Sequence, residues 1–190
     1  MKSLFFGFAA LMVTMSSAAA DQYESAMRSY LETNIVQWAA EPVLSAAIKR
    51  QNSETSAFDQ ARIDYLDAKW RSGRFSENDP LIDGVLSNEA ADYLRAQVAQ
   101  SNGAITEAFV MDAKGLNVAA SAAASDYWQG DEAKFQKTYL VGANAVHFGD
   151  VELDDSTGAV QGQISITIVD TETGYILGAM TVGVDLNALL

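Results

Sequence analysis

Residues 122–143 read AAASDYWQGDEAKFQKTYLVGA. They interrupt a run of strand-like segments otherwise joined by very short turns, and they gather aromatic and charged side chains where a plain connector needs neither. Loops of more than about 12 to 15 residues inside a compact domain are uncommon and usually functional. The stretch is therefore read as the wall of a binding pocket, and the segments it joins decide what lies beneath it.

Those segments alternate with period two over residues 105–112, 116–121, 145–153, 160–170 and 175–185, the spacing of half-buried strands. Three of their four connections share one chemistry. Asp112-Ala113-Lys114-Gly115, Asp154-Asp155-Ser156-Thr157-Gly158 and Asp170-Thr171-Glu172-Thr173-Gly174 each begin with an acid that accepts backbone N–H bonds and end with a glycine that tolerates positive φ. Such turns predict antiparallel neighbours. On the fourth strand Val160, Ile164, Ile166 and Ile168 alternate with Gln161, Gln163, Ser165 and Thr167. On the fifth, Ile176, Met180, Val182 and Val184 oppose Tyr175, Leu177, Ala179 and Thr181. One face of the sheet is thus apolar and seeks a helix, whereas the other is mixed and, roofed by the long connection, suits the floor of a cavity lined by hydroxyls and amides.

Before residue 104 the period is helical. Tyr23, Met27, Tyr30, Leu31, Ile35 and Trp38 recur at three-and-four spacing, Pro42 should split the helix near residues 40–41, and Val43, Leu44, Ala47 and Ile48 resume the stripe. The stripe packs on the sheet, and any apolar surface left over would pair two copies as a homodimer through the N-terminal helix. Ser56 and Asp59 suit the start of a further helix with Ile63, Leu66 and Trp70 on its buried side, ended by Arg71-Ser72-Gly73. Asp79-Pro80 and Asn88-Glu89 open two more, the last carrying Leu94 and Val98 inward and stopping at Gly103.

The chain begins with Lys2, an apolar run over residues 4–15, and small residues at Ala18 and Ala20, the parts of a secretory signal peptide cleaved after Ala20. Residues 21–190 then form a single domain in the periplasm, helical over 21–103 and sheet over 104–190. With no cysteine, packing and hydrogen bonds must supply all its stability and thiol chemistry is excluded. The formal charge of -13 repels phosphate backbones, so nucleic acid is not a partner.

The order of these pieces carries a resemblance. Residues 110–121, VMDAKGLNVAAS, residues 125–132, SDYWQGDE, and residues 169–185, VDTETGYILGAMTVGVD, following a long helix and further helices, resemble the extracytoplasmic Cache domains, the PAS-like PDC sensor modules of bacterial receptors. The resemblance implies an α+β fold with a five-stranded antiparallel sheet and a long N-terminal helix. The segment between the second and third strands would hold a small organic metabolite without catalysis, and a membrane-bound receptor or kinase would be the signalling partner. The sequence departs from the family in two ways: no transmitter follows the last strand before Leu190, and residues 122–126 lack the arginine with which amino-acid-binding members clamp a carboxylate.

Candidate ligand contacts follow. Tyr127 and Trp128 offer flat faces with polar handles for stacking, against the alternative that one points into the core. Asp126 and Asp131 suit a cationic group, although Asp131 fits better as the cap of a short helix running through Lys137. Lys134 and Tyr139 follow on the same stretch, while Gln163, Ser165, Thr167 and Thr181 project from the mixed face. His147, the sole histidine, alternates with Ala145, Val151 and Leu153, which suits a hydrogen-bonded buried residue as well as a ligand contact. Asp150, Glu152 and Asp154 read as a solvated acidic face, because the loop lacks the register of a calcium site. With one histidine and no Gly-x-Ser-x-Gly elbow, a hydrolase is not supported and no cofactor is expected. The rival to ligand binding is an interaction or scaffold protein whose pocket is filled by its own side chains.

Overall fold

The computed structural model describes residues 17–73, 79–154 and 159–190. The apolar run of the expected signal peptide and residues 155–158 of the tight turn expected after Asp154 lie outside them. Helix α1, Ser17–Tyr30, passes through a widened turn at Leu31–Ile35 into α2, Val36–Ala39. Glu41 is extended and Pro42 opens α3, Pro42–Thr55, where its missing donor costs nothing, so the predicted split falls at the proline. Asp59 accepts from the Arg62 N–H at 2.9 Å and starts α4, Gln60–Gly73. Asp79 and Asn88 cap α5, Pro80–Leu86, and α6, Glu89–Gln100, through the N–H groups of Leu81 and Ala91.

Strands β1, Ile105–Met111, β2, Asn117–Ala120, β3, Val146–Phe148, β4, Glu152–Asp154, β5, Ala159–Val169, and β6, Ile176–Asp185, form one antiparallel sheet. The order is β2-β1-β6-β5-β3, with β4 also on β5. The sheet is five strands wide, but the third expected strand is divided in two around residues 149–151. Gly149 still donates to the Gln163 carbonyl at 2.8 Å, beyond which the chain leaves the ladder until Glu152. Between β2 and β3 the connection holds the short helix α7, Ala133–Gln136; after β6 comes α8, Leu186–Leu189.

Each face of the sheet buries its own core. Ile35, Leu44, Ile48 and Leu94 from the helices meet Val110, Ile164, Ile168, Met180, Val182 and Val184 on the apolar face. On the opposite face Ile63, Leu66 and Trp70 of α4 and Ile82 and Val85 of α5 join Tyr127 and Phe135 of the connection over Phe109, Met111 and Ala179. Leu177, expected on the mixed face, belongs to the first core, because a register shift at Ile168/Val169 turns the start of β6 over.

The polar side of α3 holds both tight turns. Asp112, fully buried, accepts from Thr55 Oγ1 at 2.8 Å and Gln51 Nε2 at 3.1 Å as well as from the N–H groups of Lys114 and Leu116 in its own turn. Asn52 accepts from the Ala113 N–H and donates to the Leu177 carbonyl. Lys49 Nζ lies 2.8 Å from Asp170 Oδ2 in the second turn. That lysine, with the Glu172 N–H, pulls the Asp170 pKa down to about 2. Because the folded value lies below the unfolded one of about 3.9, the associated stability is fully present above about pH 4 and is lost as pH falls through about 2. Asp170→Asn should flatten the acid limb of the stability curve in that window, as measured by urea unfolding at a series of pH values.

Candidate functional site

The connection divides into a half pinned to α4 and the first hairpin and a half that runs over a cleft. Trp70 Nε1 of α4 donates to the Ala124 carbonyl at 2.9 Å, and its ring stacks on Tyr127 with centroids 5.6 Å apart. Asp67, buried on the same helix, accepts from the N–H groups of Tyr127 and Trp128 at 2.9 and 3.1 Å, while its other oxygen pairs with Arg71 at 2.7 Å. Trp128 Nε1 donates to the Lys114 carbonyl, which fastens the connection to the first hairpin. There Gly115, at φ +79°, passes so near Gly130 that a Cβ would stand 2.6 Å from the Gly130 Cα. Further on, Phe135 drops into the core and stacks on Tyr139 with centroids 4.9 Å apart. The cap of α7 is Glu132 and not Asp131; Glu132 makes no side-chain cap bond and pairs instead with Lys134 at 2.9 Å.

Beyond this pinned region lies a polar cleft of about 330 Å³. Its roof is Glu132, Ala133, Lys134 and Lys137; its rim is His147, Gly149, Asp150 and Glu152; its floor is Thr106, Glu107, Gln161, Gly162, Gln163 and Gly183. The floor is organised by register. Glu107 on β1 and Gln163 on β5 both face Gly183 on the strand between them, and with no side chain in the way Gln163 Nε2 approaches Glu107 Oε1 at 3.4 Å. A Cβ on Gly183 would stand 2.6 Å from Thr106 Oγ1 and 2.8 Å from Glu107 Cγ. A register shift between Ile105 and Glu107 brings consecutive side chains, Thr106 and Glu107, to one cavity. Bulges re-aim side chains in this way.

Burial raises the Glu107 pKa, opposed by the Lys134 charge and the Gln163 hydrogen bond. Burial and the Lys137 charge lower that of His147, with Asp150 pulling the other way. Lys134 is held by Glu132, by Gln129 Oε1 at 3.1 Å and by the Phe109 ring, whose centroid lies 5.5 Å away. Among the described residues no group of three or more His, Cys, Asp or Glu is placed to hold a metal ion.

Of the side chains singled out in the sequence, Lys134, His147 and Gln163 meet in this cleft. Asp126 stands apart, bonded to Ser125 Oγ at 2.9 Å with Arg71 at 3.7 Å, and Tyr127, Trp128 and Tyr139 are used in packing. Ser165 and Thr181 bond each other at 3.0 Å beneath the connection, and Thr167 is buried beside them on β5. His147 is half-buried against the polar cleft and not on an apolar face, because the break after Gly149 interrupts the alternation that linked it to Val151 and Leu153. Glu107, Thr106 and Gly183 escaped the sequence reading; the signal was a charged residue two positions before Phe109 on an otherwise buried strand face.

No protein-family model matches the chain, and no curated protein matches it. Among solved structures it is similar to the sensor domain of the V. cholerae histidine kinase DctB, at 16% identity over 90% of this chain and 55% of that one, with a TM-score of 0.47. It is also similar to the ligand-binding domain of the Campylobacter jejuni chemoreceptor Tlp3 in complex with 4-methylisoleucine, at 14% identity over 93% and 63% of the two chains and a TM-score of 0.40. A third likeness is the ligand-binding domain of the Pseudomonas aeruginosa amino acid chemoreceptor PctC in complex with GABA, at 14% identity over 77% and 60% and a TM-score of 0.42. The chain thus spans between 55% and 63% of those chains. These neighbours are sensor domains of a kinase and of chemoreceptors; at such identities and TM-scores they carry no ligand, partner or activity over to this chain. Among the described residues no helix is long and apolar enough to cross a membrane.

Proposed function

We propose that the chain is an extracytoplasmic sensory module that binds a small polar organic molecule in the cleft and signals through a membrane-bound receptor or kinase. The observation that supports this is the cleft itself, a space of about 330 Å³ within the range of small-ligand pockets, on whose floor Glu107 and Gln163 meet across Gly183. Its lining of carboxylates, amines, amides and a hydroxyl offers directional hydrogen bonds, which a self-filled pocket would have spent on itself. The Cache-like order of motifs in the sequence agrees with this use. The interaction-protein reading is favoured by Leu140 and Val141, 64% and 68% exposed near the end of the connection.

A thermal-shift screen against a metabolite library tests the proposal. A ligand at about 100 times its Kd adds about 2.7 kcal/mol, or about 5–10 °C in Tm for a domain of this size. Gly183→Val should abolish that shift by filling the floor of the cleft. A library that leaves the wild-type Tm unmoved would count for the interaction protein.

A further inference from the structure

We infer that the cleft selects an organic cation bearing a primary amine, with Glu107 as its anchoring carboxylate. The inference deepens the proposed function and rests on the cleft being the ligand site. Six charged groups decide it. Lys134 is already neutralised by Glu132 and held by Gln129 and the Phe109 ring, so it is not free to receive an anion. Among the described residues Glu107 accepts one hydrogen bond, the long one from Gln163 Nε2; it feels the already paired Lys134 charge and lines the cleft. At the rim Asp150 and Glu152 form no ion pair among the described residues, which leaves two acids against Lys137. The balance of uncommitted charge is negative.

The chemistry of the floor matches an ammonium. Such a group has three donors and no acceptor. The Glu107 carboxylate and the Thr106 hydroxyl lie side by side over Gly183 in the wall of the cleft and supply acceptors to it. Burial raises the Glu107 pKa against the Lys134 charge and the Gln163 hydrogen bond, and burial and the Lys137 charge lower that of His147. A metal ion is a poor alternative occupant, since no cluster of ligating side chains among the described residues is tight enough to chelate one.

The test uses three molecules with one five-carbon backbone: cadaverine, glutarate and pentanediol, titrated calorimetrically into the full chain. Cadaverine should bind and the other two should not. Glu107→Gln should weaken cadaverine by about tenfold or more, the scale of a lost charge-assisted hydrogen bond. Glu107→Asp, which keeps the charge, should retain the preference for cadaverine over pentanediol and guards against a folding defect in the first variant. Glutarate binding with cadaverine inert overturns the inference and leaves the sensory cleft standing. Cadaverine binding that survives Glu107→Gln unchanged, or three inert probes, also overturns it; the cleft itself falls only if the metabolite library moves nothing as well.

Discussion

Gly178→Ala should be the most damaging methyl in the molecule, lowering stability by about 3 kcal/mol or more, at the upper end of overpacking costs. A Cβ at that position would stand 1.9 Å from the Met111 carbonyl oxygen and 3.2 Å from Ile48. The first neighbour is backbone. Strand β6 lies between β1 and β5, so neither it nor Met111 can retreat without breaking ladders on both sides. Gly84→Ala is the matched control: nothing lies within 4 Å of its added Cβ, the residue is inside α5, and alanine there should stabilise by about 0.5–1 kcal/mol. Urea unfolding of the two variants should therefore shift the midpoint in opposite directions. Equal and small shifts would contradict the close approach of β6 to the end of β1.

The second large effect concerns Asp67. Its carboxylate is the acceptor for two consecutive N–H groups of the connection, one of them fully inside, and hydrogen bonds to charged groups contribute about 1.5–3 kcal/mol each. Asp67→Ala should cost about 3 kcal/mol and, more tellingly, should release residues 122–130 from α4. Limited proteolysis supplies the readout, with cleavage in that segment appearing before global unfolding. Asp67→Asn keeps an acceptor oxygen and should fall between the two. Arg71→Ala removes only the half-exposed partner and should cost less than about 1 kcal/mol. If Asp67→Ala left the connection resistant to protease, the Trp70 contacts to Tyr127 and Ala124 and the Trp128–Lys114 bond would have to be what hold it.

How much of this was legible in the sequence depends on the range of the physics involved. Local signals read true: Pro42 parts the N-terminal helix, Asp79 and Asn88 cap where capping residues belong, and Asp112 and Asp170 make the turns their chemistry allows. The α+β architecture with its helix-backed antiparallel sheet followed from the same patterns. What the patterns missed is non-local. Tyr127 and Trp128 look like ligand-stacking residues until Asp67 and Trp70, some sixty positions earlier, are seen to engage them. The placement of Glu107 in the cleft depends on a register shift and on Gly183, far along the sequence on the neighbouring strand, neither of which leaves a periodic trace. Lys134, His147 and Gln163 reach the cleft because they lie on its roof, rim and floor, near the residues the periodicity could not supply.

The separation of the connection into an anchored leading half and a trailing half that carries Glu132, Lys134 and Lys137 has a consequence for redesign. The side chains that line the cleft come from residues 132–152 and a few strand positions, whereas the fastening to α4 and to the first hairpin comes from residues 124–130. Lining and fastening thus sit on adjoining but distinct stretches of chain. Substitutions in the former should change the chemistry of the cleft while the latter goes on delivering the segment to the same place above the sheet.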